Sequence, residues 1–537
     1  MTLAPPRTPR TPRTHDAATA STPPAASGHA GHTKNADARD VLQGRFTRPI
    51  HFSFLGAGST FCPWLCRDLM LMPGNRGGEI RLIDVDADRL ATMKAVVENL
   101  ARRVHEETGR PDHWVVRAST DRRELLPGTH YAACCVEVSG TQCVAMDNDI
   151  PLRHGVDQCI GDTAGPGGLF KALRTVPVFL DILRDMRELC PGAPMLNYSN
   201  PMSVMVLAAG RAVPEVPVVG LCHSVQGTSR LLARYAGVDY EDFRFECAGI
   251  NHLAWFTKAA TVAGEDLYGS VLRDRFRADL EEAHAQHAAG EAVADAVDPR
   301  HEELAASEDP LRDLVRKDVC LQFGAFVTES SGHLSEYLPY YRKPDAPGVA
   351  GAAGRSFLRR GYDGGSRFYA TNWPGWREEA DATRAAWLSG AEALELDRSW
   401  EYASFIIEAM EKDAPYRVYA NVMNHPVEPG RCAAGEAGKL ITNLPADGCV
   451  EVACLVDGAG VRPTRYGALP PQMAHLCASN MAFFDLAADA CTRRSKEHAV
   501  QALMLDPLTA AVLSPAQIRA MAEEMFEAEA AFLPGFA

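Results

Sequence analysis

The sequence predicts an α/β protein whose first half is a parallel sheet with helices on both faces, and three observations carry that prediction. From residue 50 onward, short apolar runs rich in β-branched residues alternate with longer stretches of helical periodicity. The first run, Ile50-His51-Phe52-Ser53-Phe54-Leu55, passes directly into the turn Gly56-Ala57-Gly58-Ser59. The second, Ile80-Arg81-Leu82-Ile83-Asp84-Val85-Asp86, ends in acids, with Asp84 lying 28 residues after Gly56. In sheets of this class ligands collect at the carboxyl ends of the strands, so the loops there are the ones to read for chemistry.

Composition bounds the rest. The chain has 537 residues with 46% hydrophobic and 23% charged side chains, which is ordinary for a soluble globular protein of several domains or two lobes. A net charge of −15 with no offsetting basic stripe argues against nucleic acid as a partner. No apolar run reaches the length needed to cross a bilayer. Residues 1–40 are rich in Pro, Thr, Ala and Arg without the apolar segment of a signal peptide, so residues 1–45 are expected to form a disordered tail. The 15 cysteines are scattered rather than densely patterned, which fits a reducing cytoplasm.

Taken in order, the turn at Gly56, Gly58 and Ser59 is expected to lay backbone amides against a diphosphate at a helix N-terminus. The third glycine of the full dinucleotide fingerprint is absent, and Pro63 suits the first turn of the helix that follows. Asp84 stands where a ribose-binding carboxylate belongs, which favours NAD over NADP; the alternative is that Asp84 or Asp86 caps the next helix, over residues 87–107. Leu90, Met93, Val97, Leu100 and Val104 give that helix its core face. Further strands are expected at Val115-Val116 and at residues 131–138.

The glycine-dense loop at residues 161–168 either permits close backbone approach to a ligand or is a plain flexible connection, and it leads into a long helix through Leu173, Val176, Leu180, Leu183 and Met186. Met195-Leu196-Asn197-Tyr198-Ser199-Asn200-Pro201 reads as a short strand broken at Asn-Pro. There Asn200 either meets a ligand at the sheet edge or caps the following helix.

Val218-Val219-Gly220-Leu221-Cys222-His223-Ser224 reads as a buried strand ending at a cleft, and residues 243–256 as a return strand carrying His252. Cys222 and His252 together could ligate one metal ion and leave positions for water and substrate, as a catalytic site does. The competing reading is a small core cysteine and a hydrogen-bonded histidine. Beyond these, residues 265–310 are expected to be solvated helix and residues 344–365 a surface loop. Strands are expected at Asn443-Leu444-Pro445 and 450–456, with helices from Pro471.

Several segments together carry a family resemblance: Gly56-x-Gly58-Ser59, Gly161-Asp162-Thr163 with Gly165-Pro166-Gly167-Gly168, Asn197-Tyr198-Ser199-Asn200-Pro201, residues 220–227, and Ala248-Gly249-Ile250-Asn251-His252. Over residues 48–537 the chain resembles glycoside hydrolase family 4. The resemblance implies a Rossmann-type NAD-binding domain at residues 46–245. It also implies an α+β domain at residues 246–537 for substrate, metal and oligomerisation, the whole similar to lactate and malate dehydrogenases.

It also implies NAD and a divalent cation, usually Mn2+, and a small glycoside or oligosaccharide substrate. An α-galactoside such as melibiose is expected, with α-glucosides and α-galacturonides as alternatives. Nothing resembles a phosphate clamp for a 6-phosphate sugar. Cys222 and His252 match the metal ligands, and Asn200 matches a substrate or nicotinamide contact. Asp162 is assigned to substrate and Tyr337 matches the catalytic base. His223 stands beside the thiolate where phospho-glycosidase relatives carry Asp as the acid.

The implied reaction oxidises C3, removes the C2 proton, expels the C1 substituent, adds water and returns the hydride, an exception to two-carboxylate hydrolysis. The resemblance suggests homodimers or homotetramers. A dehydrogenase that accumulates NADH and an NAD-sensing regulator without turnover are the readings to exclude.

Overall fold

A computed structural model describes residues 42–109, 114–138, 140–289, 312–343, 364–425 and 438–536. The expected tail up to residue 41, the loop at 344–363 and the stretch 290–311 lie outside the described residues. Of the solvated helix expected over residues 265–310, the described part contains a helix at Arg273–Ala288, on which Phe276, Leu280 and Ala283 are buried. Leu42, which a boundary at residue 45 leaves in the tail, has its carbonyl held by Lys412 Nζ at 3.0 Å.

Twelve strands form one sheet, in the order β3-β2-β1-β4-β5-β6-β10-β11-β7-β8-β9 with β12 beside β11. The parallel half comprises β1 (Ile50–Leu55), β2 (Gly78–Ile83), β3 (Trp114–Ser119), β4 (Tyr131–Cys134), β5 (Met195–Asn197) and β6 (Val218–Gly220). Its order 3-2-1-4-5-6 is that of a dinucleotide-binding sheet. The antiparallel half comprises β7 (Phe243–Ile250), β8 (Leu253–Thr261), β9 (Phe326–Val327), β10 (Tyr416–Met423), β11 (Cys449–Asp457) and β12 (Gly460–Pro463). A division at residue 245 falls inside β7.

Local chemistry explains the elements that frame the cleft. The helix Ala87–Thr108 starts at Asp86, whose carboxylate accepts from the Arg89 amide at 3.0 Å, and ends at Gly109 with φ 64°. Its stripe of Leu90, Met93, Val97, Leu100 and Val104 is buried as the periodicity requires. One expected strand becomes two: residues 243–256 fold as a hairpin, β7 to β8, with Asn251 and His252 in its turn. Asn443-Leu444-Pro445 is not a strand; Asn443 instead bonds Leu469 through both ends of its amide.

The glycines at 161–168 correct another expectation. A Cβ on Gly167 would stand 2.3 Å from the Gly161 carbonyl oxygen, and one on Gly168 2.4 Å from the Thr163 carbonyl carbon. These glycines let backbone pack on backbone at the start of the helix Gly165–Leu189, rather than opening the loop to a ligand.

The two halves of the sheet meet along one transverse row. Gly220 of β6 pairs with Asn421 of β10, Asn421 with Glu451 of β11, and Glu451 with Gly249 of β7. Each of these three pairings is antiparallel, so β6 and β7 run in opposite directions, and both end at this row. The residues that follow β6 and those that follow β7 nevertheless meet at one corner, where Cys222 and His252 lie.

Candidate active site

Cys222 follows β6 by two residues and His252 follows β7 by two, and the fold brings the two side chains together. A third group, Glu329, reaches the same corner from the residues after β9. One donor atom each from Cys222, His252 and Glu329 lies within 4.8 Å of the others. The thiol sits 3.8 Å from Glu329 Oε2, and His252 Nε2 is 3.7 Å from the same oxygen. Glu329 was within reach of sequence reading, in Thr328-Glu329-Ser330-Ser331-Gly332-His333, but an isolated acid with no local spacing gives no signal.

The backbone marks the corner as well. His252 has φ 61° and Glu329 φ 71°, the left-handed region that L side chains rarely occupy. Such conformations cost of order 1–3 kcal/mol and persist where surrounding structure dictates them, often at functional sites.

The protonation states suit metal binding. Burial pushes the His252 imidazole down to about 4, so its 3.7 Å contact with Glu329 joins a neutral ring to a carboxylate. Burial works to raise the Glu329 carboxyl, but His252 and His333 overcome it and hold it below the usual range. Burial, with Glu329 and Glu451 adding, raises the Cys222 thiol. His252 Nδ1 is buried with no hydrogen-bond partner. A neutral imidazole, an ionised carboxylate and a thiol that a cation would deprotonate form a mixed N, O, S set. Three protein donors leave coordination positions for substrate oxygens.

His333 links this corner to Asp162. Its Nδ1 lies 3.3 Å from Glu329 Oε1 and its Nε2 3.4 Å from Asp162 Oδ1. Burial lowers the His333 ring, but the two carboxylates outweigh it and carry it up to about 10, so it is an imidazolium between two anions. Asp162 is held low against its burial by Lys171 and His333. Lys171 Nζ bridges Asp162, at 3.7 Å, and Glu137, at 2.7 Å.

Asn200 donates to Asp162 Oδ2 at 3.0 Å, while the helix Met202–Ala212 has Pro201 at its N-cap position. The capping alternative for Asn200 is therefore excluded. Glu336 fixes the loop bearing Asp162, accepting from the amides of Ile160 at 2.6 Å and Gly161 at 3.2 Å.

The two expected catalytic residues flank the corner differently. His223 is half-exposed, edge-on to Trp400 with ring centroids 6.3 Å apart, and its Nδ1 is 3.8 Å from Glu401 Oε1. Burial raises the Glu401 carboxyl to about 7. Tyr337 is fully buried, its ring 6.3 Å from that of His252, and its hydroxyl has no hydrogen-bond partner. Burial and the carboxylates of Asp162, Glu336 and Glu329 raise its phenol, the opposite of the shift a catalytic base needs in the protein alone.

Cys222, His223, His252, Glu329, Asp162 and Asn200 share a cleft of about 900 Å³ with the turn after β1, whereas Tyr337 is not among the residues that line it. Here one expectation is corrected. Gly56, with φ 84°, could not carry a Cβ, which would stand 2.6 Å from the Cys135 carbonyl oxygen. Yet the amides of the turn are not free to cradle an anion. Gly56 and Ala57 donate to Ile83 O, Ser59 to Gly56 O, Cys62 to Ser59 O and Phe61 to Ser59 Oγ. Gly58 donates to Asp84 Oδ2 at 2.7 Å. Asp84 also accepts from the Asp86 amide at 3.0 Å, so Asp84 shapes the turn and Asp86 is the helix cap.

Comparison with known proteins agrees over nearly the whole described chain. The model of "Family 4 glycosyl hydrolase" matches residues 51–238, and that of "Family 4 glycosyl hydrolase C-terminal domain" matches residues 247–509. The chain is 33% identical to an alpha-galactosidase of Bacillus subtilis (strain 168) over 486 residues, 90% of this chain and 99% of that one. It is 34% identical to an alpha-galactosidase of Rhizobium meliloti (strain 1021) over 488 residues, 90% and 89% of the two chains. Among solved structures, a 6-phospho-alpha-glucosidase from gut microorganisms, in complex with NAD and Mn2+, superposes with TM-score 0.69 at 19% identity. That superposition covers 91% of this chain and all of the other.

Proposed function

This chain belongs to glycosyl hydrolase family 4, and from that premise we propose that it hydrolyses α-galactosides with NAD and a divalent cation, Mn2+ for preference, as cofactors. One observation carries the reading: the Cys222, His252 and Glu329 donors and the Gly56 to Asp84 turn open into the same cleft. Relatives at 33% and 34% identity that are alpha-galactosidases support the sugar, and a solved structure of this fold in complex with NAD and Mn2+ supports the cofactors.

When bound, the dinucleotide supplies a reversible hydride acceptor for sugar C3 and the cation a Lewis acid for the neighbouring oxygens. The chain's own residues do the rest. Cys222, His252 and Glu329 hold the cation with positions open to substrate. Asp162, kept ionised by Lys171 and His333, accepts from a sugar hydroxyl, and the Asn200 amide beside it offers a second contact. Gly56, Gly58, Ser59 and Asp84 line the dinucleotide end of the cleft.

Tyr337 is the base for the C2 proton. A dication held by Cys222, His252 and Glu329 would oppose the burial and carboxylates that raise its phenol in the protein alone. His223 assists departure at C1, with Glu401, its carboxyl raised to about 7, as the group able to return its proton.

Release of p-nitrophenol from para-nitrophenyl α-galactoside tests the reading, with NAD+, Mn2+ and a thiol reductant each omitted in turn. Turnover needing all three without NADH accumulation supports it. NADH growth without aglycone would make the protein a dehydrogenase, and activity confined to the galacturonide or glucoside would change the sugar. Tyr337→Phe is expected to slow exchange of the C2 hydrogen with solvent deuterium by ~100-fold or more, and unchanged exchange would remove Tyr337 from that role.

Among the described residues no helix is long and apolar enough to cross a membrane, and fourteen described cysteines are free thiols. Both support a cytoplasmic setting. A homodimer or homotetramer, and the division at residue 245, remain part of this proposal; light scattering after size exclusion tests the assembly.

A further inference from the structure

We propose that Arg377, on the helix Phe368–Ser389, is the residue that grips the diphosphate of the dinucleotide, from the wall of the cleft opposite the glycine turn. The inference rests on the dinucleotide reading of that cleft. Three observations lead to it.

First, the turn after β1 is closed on itself. Six of the seven amides in the run 56–62 already donate to acceptors within the protein. The usual anion cradle of backbone N–H groups is thereby spent on internal bonds, so a doubly charged diphosphate needs its counter-charge from elsewhere.

Second, the opposite wall supplies it. Trp373, Trp376, Arg377, Ala380, Arg384 and Trp387 line the cleft from one face of the helix, at the spacing a helical face requires. Arg377 lies against the start of the helix Gly140–Arg153, its Nη1 3.4 Å from where a Cβ on Gly140 would stand. It is thus set between the loop after β4 and the loop after β1, where a dinucleotide crossing the sheet carries its phosphates.

Third, Arg377 makes no hydrogen bond or ion pair among the described residues, although it is half-buried beside two other guanidinium groups. Arg89 pairs with Asp381 at 2.9 Å and Arg384 pairs with the same carboxylate. Arg89 also donates to the Gly58 carbonyl at 3.4 Å, which ties the basic cluster to the turn. Asp86 lies 3.9 Å from Arg89, and Asp381 and Glu137 act on Arg377 only at longer range, without an ion pair. Burial lowers the Arg377 guanidinium, and repulsion from Arg89 lowers it further. In a chain of net charge −15, an unpaired arginine held among like charges at this position is accounted for by an anion that arrives later.

A dinucleotide diphosphate fits, because it brings two negative charges to a planar guanidinium that can donate to both. A 2′-phosphate is the other anion such a cluster could take. It is disfavoured because Asp84 occupies the end of β2, where that group would sit.

Isothermal titration with NAD+ and with adenosine, on wild type, Arg377→Ala and Arg377→Lys, tests the inference without reference to turnover. For Arg377→Ala the NAD+ dissociation constant is expected to rise roughly tenfold or more while that for adenosine stays put. Arg377→Lys should fall between the two. Raising the ionic strength should weaken NAD+ binding to wild type more steeply than to Arg377→Ala. The cofactor-free melting temperature of Arg377→Ala should be equal to or above that of wild type, since a repulsive charge is removed.

Unchanged NAD+ affinity and salt dependence in Arg377→Ala would overturn the assignment, as would an equal loss of adenosine binding, which indicates a distorted cleft. Tighter binding of NADP+ than of NAD+ by wild type would move the arginine to the 2′-phosphate. A wild-type protein that binds no NAD+ at all would be a failure of the proposed function itself, distinguishable from these.

Discussion

The turn after β1 and the corner where β6 and β7 end lie in one cleft, and they are built on opposite principles. The turn is local: Gly56, Gly58, Asp84 and Asp86 fall within two strand ends, and hydrogen bonds among themselves and with Ile83 fix their shape. The corner is assembled from three separate segments around residues 222, 252 and 329. Its geometry comes from the sheet row behind it, Gly220, Asn421, Glu451 and Gly249. The turn satisfies its own polar groups. The corner leaves His252 Nδ1 and the Tyr337 hydroxyl without hydrogen-bond partners, and holds two non-glycine residues at positive φ. Closure belongs to the part that shapes a pocket, and unpartnered polar atoms to the part proposed to do chemistry.

That contrast is broken most directly at the proposed metal ligands. Cys222→Ser and Glu329→Gln are each expected to abolish Mn2+ binding and lower turnover on the order of a thousandfold, with NAD+ affinity unchanged. Mn2+ titration of each variant checks this; retained Mn2+ affinity in Glu329→Gln would reduce the site to the cysteine and histidine pair.

A second test reads the electrostatics beside the corner. Glu401, facing His223 and Asp68, has its carboxyl raised by burial from an ordinary 4.5 to about 7. Between those values the unfolded chain has released its proton and the folded protein has not, so stability falls as pH rises, and the loss is complete above about 7. Glu401→Gln should remove the effect, roughly 3 kcal/mol across that window. Denaturant melts of wild type and variant at pH 4.5 and 7.5 would show it, and parallel pH dependence in the two proteins would refute it.

The local turn should respond through its backbone instead. Gly56→Ala puts a Cβ 2.6 Å from the Cys135 carbonyl oxygen at φ 84°, and is expected to lower stability by ~2 kcal/mol in thermal or denaturant unfolding. The smallest effect is assigned to Asp84→Asn. It keeps an acceptor for the Gly58 amide and loses a charge-assisted contact to ribose, so NAD+ should bind about tenfold more weakly with Mn2+ binding untouched.

What the sequence discloses follows the same division. Gly56, Gly58 and Asp84 are readable because a turn and the strand beside it leave a spacing in the chain. Cys222 and His252 are readable as a candidate pair, although the hairpin that puts His252 in a turn is not, since Asn251-His252 stands between the apolar runs 247–250 and 253–256 with no glycine or proline of its own. Glu329 and Lys171 have no pattern to betray them: Glu329 meets Cys222 from 107 residues away, and Lys171 reaches Asp162 and Glu137 from inside a helix that reads as an ordinary one. The glycines at 161–168 mislead for a related reason. Composition reports that a side chain is forbidden there, but the obstacle is the protein's own backbone and not a ligand. The aromatic face of the helix Phe368–Ser389 goes unread because tryptophans at helical spacing look like any core stripe.

The transverse row has a consequence for how this molecule tolerates change. A Cβ on Gly220 would stand 2.6 Å from Met202 Sδ and 2.8 Å from Asn421 Cβ, and one on Gly249 2.4 Å from the Leu253 carbonyl oxygen. Neither glycine touches a substrate or carries any reactive group, yet each fixes where a strand stops and hence where a ligand atom arrives. In a library of all single substitutions, these two positions should be as barren as Cys222 and His252 themselves. The map of intolerance would then outline the joinery of the sheet as sharply as its chemistry.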